Sequence, residues 1–228
     1  MYHPEYKKAL LLLRKIHEHY RQTIKTNKQD VRLAIYYLAG GCITQANLAI
    51  QAWGNGDLNT PMRVKRFIDE AKLLIIYMIV INDRDRFVRR FFQDEIITIN
   101  PKKYEREITK ILGMDKQTFD KWLKNIKKLS HGFSKGVHPT YRSVAYNTNI
   151  DTGKFDYDLK HFAYYPIEGF DFAHFVIIPA IDSVILPSEV FGVSNAQLTE
   201  INKLRKDMQA IAIGKHQAKK SKKETAKG

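Results

Sequence analysis

The chain has 228 residues, 44% of them hydrophobic, and its 38 Lys and Arg against 24 Asp and Glu give a formal net charge of +14 at pH 7. This hydrophobic fraction excludes a disordered or fibrous chain, and the single cysteine, Cys42, excludes a disulfide scaffold and a cysteine-rich zinc site. The excess of positive charge favours polyanionic partners such as nucleic acid.

Apolar runs along the chain are short. The run at residues 9–13 is followed at once by Arg14 and Lys15, which is unlike a signal peptide. The longest run, residues 73–81, has nine residues, whereas a membrane-spanning helix needs about 20. We therefore expect a cytoplasmic protein without a membrane partner.

Most of the chain has apolar residues at helical spacing, which predicts a helical bundle. The first helix carries its stripe at Tyr6, Leu10, Leu13, Ile16, Tyr20 and Ile24, and the second carries Leu33, Tyr36, Tyr37, Ile43, Leu48 and Ile50. In the second helix, Gly40 and Gly41 mark a kink or a close contact with another helix. The predicted helices begin at Pro4 and after Asp30, and then span 61–81, 83–96, 101–113, 116–138, 169–186 and 194–213.

Local signals bound several of these helices. Thr60 is the predicted N-cap of the third helix, with Pro61 in its first turn, and the apolar content of this helix places it at the centre of the bundle. Gly113 ends the fifth helix, Asp115 caps the sixth, and Pro139 stops the sixth.

The pattern changes after the sixth helix. Residues 143–146 and 154–157 are short alternating runs, which predict a β-hairpin. The expected fold is all-α, a helical bundle with a small β-hairpin insertion near residues 143–158. We expect one helical domain over residues 1–213 and a basic, disordered C-terminal tail over residues 214–228.

A basic face on the sixth predicted helix is the strongest candidate for chemistry. Lys124, His131 and His138 recur every seven residues and so lie in one row at about 100° per residue. The lysines of this segment are Lys121, Lys124, Lys127, Lys128 and Lys135. Lysines attract phosphodiesters, and histidine transfers protons at neutral pH. The alternative is an ordinary solvated surface, with Gly132 and Gly136 breaking the helix before His138.

Two short motifs resemble those of a known family. The segment Ser134 to Tyr141, with the sequence Ser-Lys-Gly-Val-His-Pro-Thr-Tyr, is similar to a signature of bacterial members of the HEPN (higher eukaryote and prokaryote nucleotide-binding) superfamily. Arg66 and Glu70 resemble the Arg-x-x-x-Glu on the central apolar helix of such proteins. The resemblance covers about residues 30–190.

The resemblance implies an all-α, HEPN-like protein that binds or cleaves RNA. It implies a homodimer with a metal-independent endoribonuclease site, without cofactor or metal, in a bacterial toxin or antiphage-defence setting. RNA or another nucleic acid is the expected ligand, and an antitoxin or defence-complex protein is a further expected partner.

The resemblance also assigns roles to residues. His138 or His131 would remove the proton of the ribose 2′-hydroxyl, and Lys124 with Asn125 would stand in the catalytic position that precedes the histidine. The candidates for nucleic-acid binding are Lys121, Lys127, Lys128, Lys135, Arg66 and Tyr141, and those for a structural or orienting role are Glu70 and Ser134.

The sequence departs from the family at one position. No arginine occupies the expected window before His131 or His138, and Lys124 is the nearest substitute. Lysine lacks the rigid bidentate fork of arginine, so it would stabilise a transition state at phosphorus more weakly. The alternative function is therefore a catalytically silent helical module that binds a partner protein or nucleic acid. Arg14 and His19 satisfy the family spacing on the first helix, which we interpret as coincidence.

Two other clusters have simpler interpretations. Arg66 and Glu70 lie one turn apart, which predicts an ion pair between partly buried charges unless both face the histidine-bearing helix. His17 and His19 lie two residues apart, on different faces of a helix, which predicts two exposed histidines and no metal site.

Overall fold

The computed structural model describes residues 4–24, 28–55, 57, 59–95, 97, 100–124 and 172–209, and every regular element within these ranges is helical. The all-α class is therefore confirmed for the described part of the chain. The predicted β-hairpin near residues 143–158 and the predicted tail over residues 214–228 lie outside the described residues.

The first two helices form as their capping and periodicity predict. Helix α1 spans Pro4–Thr23, and its apolar stripe faces the core, with Tyr20 fully buried. Helix α2 spans Val31–Gly54. Asp30 caps α2, because its Oδ1 accepts a hydrogen bond from the backbone N–H of Leu33 at 3.0 Å.

Helix α3, Asn59–Val80, is the central helix, as predicted. It packs against α2, against α4 (Arg84–Phe92) and against α5 (Glu105–Leu112). It begins one residue before the predicted N-cap Thr60, because Asp57 binds the open backbone of the first turn. The carboxylate of Asp57 accepts hydrogen bonds from the Thr60 hydroxyl and, at 3.2 Å, from the Thr60 backbone N–H.

The middle of the chain is made of short helices with clear boundaries. A 3-10 turn at Pro101–Tyr104 leads into α5, and Gly113 ends α5 in a left-handed conformation with φ of +59°. Residues 116–124 are helical and are named α6. Asp115 caps α6, as predicted, because its Oδ1 accepts a hydrogen bond from the Thr118 backbone N–H at 2.7 Å.

The last described part of the chain returns to the bundle. A π-helical turn, Ala173–Ile177, leads into α7, Ile178–Ile185, where Pro179 lies in the first turn. The change from π to α geometry falls next to Pro179, which has no backbone N–H to continue the helical hydrogen-bond ladder. After the 3-10 turn Ser188–Phe191, residues 195–209 form α8.

The described helices enclose two hydrophobic cores. The larger core joins α1, α2, α7, α8 and the inner face of α3. The smaller core, called here the second core, consists of Ile76, Tyr77, Ile81, Ile108, Phe119 and Leu123. It joins the C-terminal half of α3 to α5 and α6, so it determines where α6 lies.

Helix α2 differs from the sequence prediction at two apolar positions. Tyr37 and Leu48 are 55% and 46% exposed, because the bundle covers only part of a helix that is apolar on most sides. Among the described helices, α2 is the one that is long and apolar enough to cross a membrane by length and composition, and 56% of its apolar window is buried inside the bundle. A core helix of a bundle has the same two properties.

Candidate nucleic-acid interface

Helix α6 separates its apolar and basic side chains. Phe119 and Leu123 are buried in the second core, whereas Lys121 and Lys124 are exposed. The hydrogen bond from the Thr118 backbone N–H, together with the other donors of the first turn, holds the pKa of the Asp115 carboxyl below its ordinary value. The start of α6 is therefore well defined, and its two lysines point away from the core.

The second core holds α6 against the C-terminal half of α3. Tyr77 of α3 lies at its centre, with its ring 5.0 Å from the Tyr104 ring in an edge-to-face arrangement. Leu73, one turn before Tyr77, packs against the same cluster. The face of α3 that carries Leu73 and Tyr77 thus belongs to the core that α3 shares with α5 and α6.

Arg66 and Glu70 form an ion pair within α3. The Nε of Arg66 donates to Oε1 of Glu70 at 2.9 Å, and the two side chains are 46% and 61% exposed. The ion-pair interpretation is confirmed in its geometry, but the charges are solvent-exposed and not partly buried. A pair this exposed contributes less than about 1 kcal/mol to stability, so folding alone does not require it.

The spacing of Arg66 and Glu70 places them on the face of α3 that carries Leu73 and Tyr77 of the second core. Arg66, Glu70, Leu73 and Tyr77 follow one another at steps of four, three and four residues, which keeps all four within a narrow sector of the helix. The C-terminal part of this sector is covered by the second core, and the N-terminal part is open. Of the predicted site residues, Arg66 and Glu70 therefore lie on the face of α3 whose C-terminal half belongs to the second core.

The remaining predicted site residues lie outside the described residues. They are Asn125, Lys127, Lys128, His131, Ser134, Lys135, His138 and Tyr141. Their roles stay predictions from the sequence.

The sequence analysis missed a groove between α1 and α2. It has a volume of about 350 Å³ and is lined by Arg14, Glu18, Tyr37 and Thr44, among others, around Gly40. The glycine pair of α2 was the available signal, because glycine in a helix often marks a close approach.

His17 lies at the inner wall of the groove. Its Nε2 is 2.9 Å from the Tyr36 carbonyl oxygen, and its ring stacks on the Tyr36 ring with centroids 4.2 Å apart. A Cβ added to Gly40 would lie 2.9 Å from the His17 ring, so glycine provides the space for this packing. Burial lowers the pKa of His17, against the opposing effect of the bond to Tyr36. The expectation that His17 is an exposed histidine is therefore wrong.

His19 points in a different direction from His17, as its spacing predicts. Its Nδ1 lies 3.5 Å from Nε2 of Gln197 at the start of α8, whereas His17 packs on α2. Arg14 lines the groove on the His17 side. Arg14 and His19 thus belong to different surroundings, in agreement with interpreting their spacing as coincidence.

A polar network crosses the larger core between α3, α7 and α8. Asp182 accepts hydrogen bonds from Lys72 Nζ at 2.7 Å and from Arg205 Nε at 2.8 Å. Lys65, which is 7% exposed, pairs with Asp69, and burial lowers the pKa of the lysine despite that partner. These charges join helices of the bundle, which is a structural role.

Among the described residues we find neither a metal site nor a reactive thiol. Among them, no group of three His, Cys, Asp or Glu side chains lies close enough together to hold a metal ion. Cys42 is buried, and burial raises the pKa of its thiol to about 12, so the thiolate that would act as a nucleophile does not form near neutral pH.

No protein-family model, curated protein or solved structure compared with the chain matches it.

Proposed function

We propose that the chain is a HEPN-like protein that binds RNA along α6 and the adjacent face of α3, and cleaves it without a metal ion. The observation that carries the proposal is the arrangement of α3. The sector of α3 that contributes Leu73 and Tyr77 to the core shared with α5 and α6 exposes Arg66 and Glu70 at its N-terminal half. Exposed cations on two adjoining helices form a surface that attracts a phosphate backbone.

The binding step uses the described cations. Lys121 and Lys124 lie one turn apart on the exposed side of α6, and each supplies a point charge to a phosphate. The Nε–H of Arg66 donates a hydrogen bond to Oε1 of Glu70, which leaves the other guanidinium N–H groups for a phosphate oxygen. Glu70 then acts as an orienting residue, because it fixes the guanidinium on the open part of the α3 face.

The cleavage step uses the histidines that follow α6 in the sequence. One of His131 and His138 takes the proton of the ribose 2′-hydroxyl, and the 2′-oxygen attacks the adjacent phosphorus. The bond to the 5′-oxygen breaks, the leaving oxygen takes a proton, and the products are a 2′,3′-cyclic phosphate and a free 5′-hydroxyl. Lysine charge near the phosphate stabilises the negative charge that develops there.

A homodimer brings the second copy of the site close to the first. His131 and His138 would be about 10 Å apart along one helix axis, so two histidines acting on one phosphate are better supplied by two subunits across a twofold axis. The proposed setting is a bacterial toxin or antiphage-defence system, with an antitoxin or defence-complex protein as partner.

Cleavage of labelled single-stranded RNA in the presence of EDTA tests the proposal. Wild type should cleave, His131→Ala or His138→Ala should abolish cleavage, and the fragments should carry a cyclic phosphate. His19→Ala is the matched control, because it removes an imidazole on α1 that contacts α8 and should leave cleavage unchanged. Thermal unfolding of each variant shows whether the folds are comparable.

Two results would contradict the proposal, one by excluding ribonuclease activity and the other by excluding the proposed site. Absence of cleavage by folded wild type would leave the silent binding module as the function, which RNA binding by the same protein would then test. Loss of cleavage in His19→Ala, with both later histidine variants active, would move the site to α1.

A further inference from the structure

We infer that the groove between α1 and α2 is a docking site for an acidic amphipathic helix of a partner protein. Such a helix places its apolar residues along the groove and its carboxylates against the cations beside it. The inference does not need RNA cleavage, because the residues that line the groove belong to α1 and α2 and not to α3 or α6.

The groove runs between two antiparallel helices. His17 of α1 packs against Gly40 of α2 near one end of the pair. Toward the other end, Tyr6 of α1 and Trp53 of α2 each have their ring centroid 5.3 Å from that of Phe172. The two helices therefore lie side by side over most of their length, and the groove between two such helices is a surface against which a third helix packs.

The α2 side of the groove continues beyond it as an apolar strip. At steps of four, three and four residues, one narrow sector of α2 contains Tyr37, Gly41, Thr44 and Leu48. The first three line the groove, and exposed Leu48 extends it by one turn. The Tyr37 ring is held by edge contact with Phe92 of α4, with centroids 6.5 Å apart.

The α1 side of the groove has a matching sector. At steps of three, four and three residues, it contains Leu11, Arg14, Glu18 and Arg21. Arg14 and Glu18 line the groove, and Leu11, which is 58% exposed, lies one turn before Arg14. Because the helices are antiparallel, Leu11 extends the groove in the same direction as Leu48.

The exposed apolar side chains of the described part are concentrated near this groove. The large ones are Leu11, Tyr37, Leu48, Phe67 and Ile111. The first three lie on the two sectors, and the Phe67 ring lies against Gly41, since its Cζ would be 3.1 Å from a Cβ added there. Single exposed apolar residues are ordinary, whereas several that gather in one place mark an interaction site.

The charges beside the groove favour an acidic partner. Arg14 is exposed and forms no ion pair with another described residue. Arg21 is also exposed, and its one described hydrogen bond goes to a backbone carbonyl. Helix α4, which contacts Tyr37, carries four arginines and one aspartate. Asp and Glu residues of a docked helix would pair with these cations and speed its association.

Charge and shape disfavour the other occupants. A second copy of the chain would place mainly cations against cations, and so would residues 215–227, which include six lysines and one glutamate. An RNA strand would bring its phosphates toward Glu18, which lies between Arg14 and Arg21 in the same sector. A lipid surface contacts side chains that protrude, whereas this site is a groove of about 350 Å³.

Selection from a library of displayed helical peptides tests the inference. The peptides are about as long as α1, with an apolar residue at every third or fourth position and random residues elsewhere. Selection on the full chain should enrich peptides that carry Asp and Glu beside the apolar stripe. The enriched peptides are then synthesised, and fluorescence anisotropy measures their Kd.

Two substitutions at exposed positions alter the groove. Leu48→Glu places a carboxylate in the apolar strip, and Arg14→Gln removes a cation. The matched controls are Ile111→Glu, at an exposed apolar position of α5, and Lys15→Gln, at the residue after Arg14, which does not line the groove. Each groove variant should weaken binding about fivefold or more, and each control should change it less than about twofold. Thermal unfolding shows whether the folds are comparable.

Enrichment of acidic amphipathic peptides whose binding both groove variants weaken supports the inference. Enrichment of no peptide, of peptides without acidic residues, or of peptides that bind both groove variants as tightly as wild type overturns it.

Three further measurements on Leu48→Glu identify the other occupants. They are binding of a single-stranded RNA hexamer, binding of phosphatidylserine vesicles, and self-association by analytical ultracentrifugation. A loss in any of them, with no acidic peptide enriched, assigns the groove to that occupant and overturns the inference. Docking of acidic peptides on a protein that does not cleave RNA would support the inference while the ribonuclease proposal fails.

Discussion

Two buried tyrosines of the described bundle differ in what their hydroxyl groups contact. Tyr20 donates to the backbone carbonyl of Val184 in α7, whereas the Tyr77 hydroxyl finds no hydrogen-bond partner in the described part of the chain. Burial raises the pKa of both hydroxyls, so both stay protonated at neutral pH. The same chemical group is therefore satisfied in the larger core and unsatisfied in the second core.

Removal of these two hydroxyls should have opposite effects on stability. Tyr77→Phe removes a buried polar group without a partner and should raise the free energy of unfolding by about 1 kcal/mol. Tyr20→Phe leaves the Val184 carbonyl without that donor and should lower it by about 1 kcal/mol. Urea denaturation of the two variants and wild type measures both values. Destabilisation by Tyr77→Phe would show that its hydroxyl has a partner.

His17 should make the stability of the fold depend on pH. Because burial lowers its pKa in the folded state, the unfolded chain takes up a proton below the ordinary pKa of 6.5 before the folded chain does. Stability should therefore fall as the pH drops below 6.5 and level off below the lowered folded value. His17→Gln keeps a donor for the Tyr36 carbonyl but does not titrate, so it should lose less stability than wild type between about pH 7.5 and about pH 5. Equal losses, measured by urea midpoints, would rule out this contribution.

At the scale of the helices, one carboxylate on α7 forms ion pairs with both α3 and α8. Asp182 of α7 bridges Lys72 of α3 and Arg205 of α8, and its side chain is only 19% exposed. Breaking such a bridge leaves two cations close together without a counter-charge, which is worse than the loss of an exposed pair.

Asp182→Asn should lower the free energy of unfolding by about 1–3 kcal/mol, since the amide preserves the size of the side chain and removes its charge. Arg66→Gln is the comparison, because it breaks the exposed pair with Glu70 and should change stability by less than about 1 kcal/mol. Chemical denaturation of both variants gives the two values. A smaller effect of Asp182→Asn than of Arg66→Gln would refute the role of the bridge.

Helix boundaries were well predicted where the signal is a local hydrogen bond. Asp30 and Asp115 cap their helices through a backbone N–H three residues later, and Gly113 ends α5 with a positive φ. Thr60 was the exception. The acceptor for its N–H is Asp57, in a loop whose conformation the sequence pattern does not specify.

At the scale of the whole molecule, exposed lysines lie on several helices, and the proposed nucleic-acid interface includes only some of them. Lys121 and Lys124 belong to the proposed interface, whereas Lys203 is exposed on α8. Each lysine that neutralises a phosphate releases counterions from the nucleic acid, so it contributes to the salt dependence of binding.

Lys121→Gln and Lys124→Gln should each reduce the slope of log K against log salt concentration for single-stranded RNA by about 0.7. Lys203→Gln should leave the slope unchanged, although it alters the net charge by the same amount. Binding titrations at several salt concentrations measure the slopes. An equal reduction in all three variants would show that only the overall charge matters.

The candidate site was predictable in part. Arg66 and Glu70 were singled out from their resemblance to a family motif and their spacing on an apolar helix. That their face of α3 joins the second core depends on contacts between distant parts of the chain. The groove was not predicted, because Arg14 and Tyr37 lie on different helices and come together only when the helices pack.

The sequence by itself determined the helical class, the stripe of α1, the central place of α3 and most helix ends, because periodicity and capping act within a few residues. Only the tertiary structure decided which side of α2 is covered, since a helix that is apolar on most sides carries no stripe to mark its buried face. Packing of α1, α3 and α7 on α2 placed the half-buried His17 ring against Gly40 and left Tyr37 exposed. The same packing formed the groove, because its walls come from separate helices.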